Sequence, residues 1–556
     1  MTQRLFIYVL FAALAACNPV HHAALATPAR GAVASTHELA TQVGVSVLAR
    51  GGNAVDAAVA TALVLAVVHP QAGNLGGGGF AVVRVDGRTS SLDFRETAPA
   101  AATPDMFTQA GLPERASLVG GLAVGVPGAP AGYFELHRRY GALPWRDVVT
   151  PAIELARRGI PVTVRLARDL WRRRTLLSTF PATKRTWFPD GRLPVTGSVI
   201  AVPALADALA AYQARGPAAI TTGTRAEAIA RAARDAGGVL TVTDLAEYRA
   251  VWRSPVQFDA FGWRIAAMGL PSSGGILMAE TFGLIERRGW PQQAPVDRLH
   301  LLIESWRRAY ADRYLLADPQ YTGVSPDVLL DPARLDRLAR TIDLQHATPS
   351  AQVHPYGHDI SETTHLSVVD AAGNAVAMTV TLNGSFGSGV FVPEVGILLN
   401  NEMDDFATRP GAPNLYGLVQ GNANAPRPGA RMLSSMTPTI AVRGEDVIAI
   451  GSPGGSRIPT ATMQVLLGMV VEQLSARAAV RRPRIHHQWL PDRVYAEPGA
   501  LDGDLQAALV ARGHTIVDAG WPIGEVHVAA RLGRQWLAAA DPRQPGTSAR
   551  LVGVKP

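Results

Sequence analysis

Residues 54–68, AVDAAVATALVLAVV, constrain the fold more than any other stretch of this chain. Asn53 stands in a capping position, and the run behind it reads as a helix that is apolar almost all round. Such a helix has to be buried. It is too short to cross a bilayer, and it carries Asp56. The rest of the chain must therefore enclose it. Composition allows that: 556 residues, 47% apolar and 17% charged, can build a sizeable core. Length alone suggests about three to four domains.

The neighbouring sequence extends the pattern. Ser35 and Glu38 form a capping-box pair that opens a preceding helix, which Gly51-Gly52 stops. Gly76 to Gly79 lead into a strand rather than a helix. A phosphate-cradling loop needs a helix N-terminus behind it, so a nucleotide site is excluded there. Residues from about 100 to 345 read as mostly helical, ending in an amphipathic helix within HLLIESWRRAYADRYLLADP. From residue 363 the texture changes. A hairpin, 363–370 and 375–382, turns at AAGN. A glycine- and proline-rich loop runs from 400 to 435. A second strand pair, TIAVRGEDVIAI, precedes a loop that enters a helix at GSPGGSRIPTATMQVLLGMVVE. Strands flanked by helices on both sides suggest a layered α/β architecture.

The N-terminus carries Arg4 and then an apolar run over residues 5–16, which reads as a secretory signal. It ends in Leu14-Ala15-Ala16-Cys17, a bacterial lipobox pattern. In that reading residues 1–16 are removed, Cys17 is lipidated, and 17–30 form a tether. Cleavage after Ala24-Leu25-Ala26 is the alternative. Either way the expectation is an exported, periplasmic protein, with a lipid anchor in the first case. Cys17 is the single cysteine, so no internal disulfide is expected and stability must come from burial. The formal charge of +7 is small for this length, and the Arg172-Arg173-Arg174 cluster has no aromatic interleaving. Nucleic acid is not an expected partner.

Common chemistries can be set aside: no serine lies in G-x-S-x-G, and there is no C-x-x-C or H-E-x-x-H. His486 and His487 are adjacent and point apart in regular structure, so they read as a packed pair rather than metal ligands. Thr363 has two readings. As a strand residue it needs no special account. If the bond from Glu362 to Thr363 is cut, however, Thr363 gains a free α-amine beside its hydroxyl. An α-amine titrates near 7.7–8, so one residue would then supply both nucleophile and base.

The neighbours favour the second reading. TTHLSVVDAAGNAVAMTVTLNGSFGSG, GILLNNEMDDF, LSSMTPTI and GSPGGSR resemble the γ-glutamyltransferase family of N-terminal-nucleophile hydrolases, as do GGNAVDAA, LDFRETAP, PSSGG, AYADR, RIHHQWLPD and ADPRQPGTSA. The resemblance runs in order from about residue 30 to about 550. It implies an αββα sandwich without a cofactor or metal, made as a precursor that cleaves itself into a large subunit (31–362) and a small one (363–556), which stay together as a heterodimer. It implies Thr363 as nucleophile, Thr381 as the hydroxyl orienting it, and Gly454 and Gly455 as the oxyanion hole. Arg95 would pair with the donor's α-carboxylate, helped by Ser434 and Ser435. Asn383, Glu402 and Asp405 would surround its α-amino group, and Tyr416 would hydrogen-bond across the pocket mouth. The implied reaction takes a γ-glutamyl group from glutathione or a related amide and passes it to water, an amino acid or a peptide. A cephalosporin (glutaryl) acylase-type amidase and a non-catalytic lipoprotein scaffold are the alternatives. The paired acids Glu402 and Asp405 argue against the first, because a glutaryl group has no amine for them to meet.

Overall fold

The computed structural model describes residues 30–353, 363–409 and 412–553. The signal segment, Cys17 and Glu362 lie outside the described residues.

Thirteen strands build two antiparallel sheets. In chain order they are β1 (Gly31–Ser35), β2 (Gly78–Val85), β3 (Arg88–Phe94), β4 (Val251–Arg253), β5 (Val256–Ala260), β6 (Trp263–Ala267), β7 (Thr364–Asp370), β8 (Ala375–Thr381), β9 (Thr439–Arg443), β10 (Asp446–Gly451), β11 (His527–Leu532), β12 (Gln535–Ala540) and β13 (Ser548–Leu551). The first sheet runs β13-β1-β7-β8-β2-β3-β4, and the second β12-β11-β10-β9-β6-β5. Phe80, Val82, Val369 and Ala377 from the first sheet meet Ile440, Ala449 and Ala529 from the second in a shared apolar layer. Helices cover both outer faces. Helix α1 (Glu38–Ala49) and α2 (Ala54–Val68) lie on the first sheet. Helices α3 (Gly274–Arg287), α4 (Pro295–Asp312) and α5 (Ile458–Val470) lie on the second. The molecule is an αββα sandwich, as the sequence implied. Every residue of α2 is buried, with one flank on β7 and β8 and the others under neighbouring helices. Both sheets draw strands from before and after residue 363, so the chain does not divide into the several domains that its length suggests.

Local expectations hold with two corrections. Asn53 caps α2 in a reciprocal box with Asp56, and the hairpin turns where AAGN placed it. Ser35 does not cap α1, however. It is the last residue of β1, and its hydroxyl is engaged with Thr41 Oγ1 at 2.7 Å. The cap is His37, whose Nδ1 accepts the Leu39 N–H. Strands β4 to β6 interrupt the region read as mostly helical. They are short and lie between helices, so no long alternation marked them. His486 and His487 are indeed a buried packed pair. His486 is bonded to Thr460 and Gln488, and His487 accepts the Trp489 N–H. Among the described residues no group of three or more His, Cys, Asp or Glu is placed to hold a metal, and no helix is long and apolar enough to cross a membrane.

Candidate active site

Antiparallel register assembles the site at one end of the first sheet. Thr364 pairs with Val380, which sets Thr363, at the entrance of β7, opposite Thr381 at the exit of β8. Thr381 pairs in turn with Gly78 of β2, and Gly79 with Phe94 of β3, so Arg95 emerges at the same edge. The glycine run serves this close approach. A Cβ on Gly77 would come within 2.1 Å of the Thr381 carbonyl oxygen, and one on Gly79 within 2.2 Å of that of Thr379. The second sheet contributes from below: β10 ends at Gly451, and the loop behind it enters α5 through Gly454 and Gly455.

Thr363, only 5% exposed, lines a narrow cavity together with Thr381, Arg95, Glu402, Asp405 and Gly455. Tyr416, Ser434 and Ser435 also stand in its wall. The Thr381 hydroxyl accepts the Asn383 N–H at 2.7 Å, which fixes the turn after β8 with Asn383 at φ 68°. Among the described residues no hydrogen bond engages the N–H of Gly454 or Gly455. Both sit just before a helix N-terminus, where peptide dipoles favour negative charge.

The charged groups are arranged differently from the simple expectation. Arg95 donates to both Glu402 and Asp405, and its Nε donates to the Met432 carbonyl at 3.3 Å. The residues assigned to opposite ends of a zwitterion are therefore paired with each other. The physical reason is burial: Arg95 is 1% exposed, and a desolvated guanidinium is tolerable only with counter-charges. Burial opposes its charge, but Glu402, Asp405 and Glu96 more than offset that. Burial also raises the carboxyls of Glu402 and Asp405 above the ordinary range, against the pull of Arg95. Asn414 donates to Asp405 at 2.8 Å, while Oε2 of Glu402 has no partner. Asn383 stands one layer behind the cavity. Its amide donates to the Asn401 carbonyl and its Oδ1 accepts the Tyr416 hydroxyl, so it positions Tyr416 rather than lining the space itself.

The family model described as Gamma-glutamyltranspeptidase matches residues 40–551. The chain belongs to the γ-glutamyltranspeptidase family. It is 43% identical over 498 residues to the glutathione hydrolase proenzyme of Escherichia coli (strain K12), covering 88% of this chain and 86% of that protein. It is 41% identical over 538 residues to the protein of the same name from Pseudomonas aeruginosa, covering 95% of each. Among solved structures it is similar to the cephalosporin acylase of Bacillus halodurans, with a TM-score of 0.82 and 28% identity over 98% of this chain and 99% of that one.

Two features of this γ-glutamyltranspeptidase-family site escaped the sequence reading. Arg313, in the AYADR motif, lines the same cavity as Thr363. AYADR is one motif of the resemblance, but nothing in the sequence reading assigns Arg313 a role. A second cavity, of about 210 Å³, also reaches Thr363, together with Gly454, and is walled by Trp521, Arg457 and Glu525. Glu525 is held by a buried bidentate ion pair with Arg165, both bonds 2.9 Å. Arg165 and Glu525 are 360 residues apart, so no local motif announces the pair.

Proposed function

We propose that this chain is a γ-glutamyltransferase and glutathione hydrolase, made as a precursor that cleaves itself before Thr363. In maturation the Thr363 hydroxyl attacks the carbonyl carbon of residue 362. The peptide C–N bond breaks as the acyl group shifts to Oγ. Water then hydrolyses that ester, leaving a carboxylate on Glu362 and a free amine on Thr363. In turnover the hydroxyl attacks the γ-carbonyl of the donor. Its proton passes through the Thr363 amine to the leaving amine, and a γ-glutamyl ester remains. The N–H groups of Gly454 and Gly455 receive the developing oxyanion. Water or the amine of an amino acid or peptide acceptor then takes the acyl group and restores the hydroxyl. The cavity walled by Trp521 suits the leaving group and the acceptor, because it shares Thr363 with the charged pocket but is otherwise lined by different residues.

The observation that carries this reading is the pairing of one hydroxyl at a strand entrance with a buried pocket of both charge signs, in a chain that belongs to this family. A glutaryl acylase would share the fold. Yet the two acids Glu402 and Asp405 in the pocket suit an α-ammonium group that a glutaryl chain lacks. The test compares γ-glutamyl- with glutaryl-p-nitroanilide. The expected result is a strong preference for the first, with two fragments on a denaturing gel that collapse to one band in Thr363→Ala. A fully active single chain, or a preference for the glutaryl compound, would overturn it.

The placement proposed for the protein is an exported one with a lipid anchor at Cys17, supported by the apolar run over residues 5–16 that ends at that cysteine. Cys17→Ser should move the protein from the membrane to the soluble fraction. Persistence in the membrane fraction would remove the anchor.

A further inference from the structure

Arg313 opens a short turn, Arg313–Leu315, directly after α4, and its side chain is only 2% exposed. Its Nε donates to Ser273 Oγ at 3.1 Å, and Nη1 has no hydrogen-bond partner. Among the described residues no carboxylate lies within ion-pair distance of it. Burial lowers its pKa to about 10, which still leaves it charged at neutral pH. Asp405, across the same cavity, favours its charge without touching it; a buried cation with no direct ion pair is costly unless something else meets it.

The pocket gives a reason for that charge. Glu402 and Asp405 both take Arg95, so Arg95 cannot by itself make the pocket attractive to an anion. With both acids ionised, as binding an α-ammonium requires, Arg95 alone leaves an excess of negative charge. Glu96 lies 3.7 Å from Arg95 and can only add to the excess. Arg313 restores balance: two guanidiniums and two carboxylates face one space, which matches a ligand head carrying one of each sign. The hydroxyl of Ser435, in the same wall, is also buried without a partner. Ser273, which holds Arg313, donates to the Ser434 carbonyl at 2.8 Å, so the cation and the two serines form one connected wall.

Resting on the function proposed above, we propose that Arg313 is a donor-binding residue that takes the α-carboxylate of the γ-glutamyl head, with Ser435 beside it, and shares that task with Arg95. It thereby determines specificity for donors whose α-carboxylate is free.

The test uses the matured enzyme and two donors: γ-glutamyl-p-nitroanilide and the same compound with its α-carboxylate converted to a primary amide. The wild type should prefer the acid. Arg313→Met keeps the bulk and removes the charge. It should raise KM for the acid on the order of 10–100-fold, as loss of one buried charge contact does, while changing KM for the amide little, so that the preference shrinks. An equal loss on both donors means that Arg313 only supports the fold, and overturns the proposal; so does an unchanged preference. If Arg313→Met yields no two-fragment material, Arg313→Lys decides. A point charge without the fork should mature, weaken the acid donor selectively and retain part of the preference, whereas equal effects on both donors sink the assignment. A wild type that shows no preference for the free acid would instead fault the functional reading on which the proposal stands.

Discussion

At the scale of single residues, the site depends on groups whose ordinary chemistry is changed by where they sit. Gly454 has φ 131°, a region that side chains rarely adopt, and a Cβ there would meet Gly524 Cα at 3.3 Å. Gly454→Ala should therefore displace the N–H proposed above as an oxyanion donor. The expected result is a fall in kcat on the order of 10²–10³-fold with donor KM little changed, measured on material already cleaved into two fragments. A rise confined to KM would move Gly454 out of the transition-state contacts. The carboxyls of Glu402 and Asp405 make a second prediction. Burial raises both, so they take up protons at a higher pH than free carboxyls do. Only their ionised forms attract an α-ammonium. Donor KM should thus worsen as pH falls, starting above the ordinary carboxyl range. Glu402→Gln removes one raised group and the like charge beside Asp405, and should shift that limb to lower pH. A donor KM that stays flat through this interval would separate the two acids from the ammonium. These residues differ in how far the sequence revealed them. Thr363, Arg95 and the acids sit in contiguous motifs. Arg313 belongs to a helix end where an arginine is unremarkable, and its meaning comes from a buried Nη1 with no hydrogen-bond partner among the described residues, which only packing shows.

At the scale of elements, the most legible parts were those whose pattern is set by one dominant force. Helix α2 was readable because burial on all sides removes polar residues from every face. The 364–381 hairpin was readable because its alternation and its AAGN turn agree. Strands β4 to β6 were not, because each spans only three to five residues inside a helical stretch. The start of α1 was misplaced because Ser35 is claimed by a neighbouring strand, which local sequence does not encode. One joint between elements makes a prediction. The Asp370 carboxylate accepts the N–H groups of Ala372 and Asn374 within its own turn, and also that of Ala54 at the start of α2, at 2.9–3.0 Å. It therefore locks the hairpin that leads from Thr363 onto the central helix. Asp370→Ala leaves buried donors unmet and should lower stability by about 2–3 kcal/mol, read as an earlier denaturant midpoint, with kcat intact. A normal midpoint would mean that water or a shifted turn replaces the carboxylate.

At the scale of the whole molecule, strand order decides what happens to a chain cut before residue 363. β1, from the first part, lies between β13 and β7, both from the second, and β8 pairs outward with β2. The second sheet repeats this, with β9 beside β6. The apolar layer between the sheets takes side chains from both parts, and the buried Arg165–Glu525 pair crosses between them. Neither part holds a complete sheet, so neither should keep its fold alone. A cut before Thr363 would break no strand pairing among the described residues. The two pieces should therefore migrate together in gel filtration at the mass of the intact chain, while separating on a denaturing gel. With increasing denaturant, dissociation and loss of near-ultraviolet circular dichroism should share one midpoint, because pulling the pieces apart exposes the common core. Pieces that separate while each retains a cooperative unfolding transition would contradict this interleaved arrangement and point to two independently folded halves.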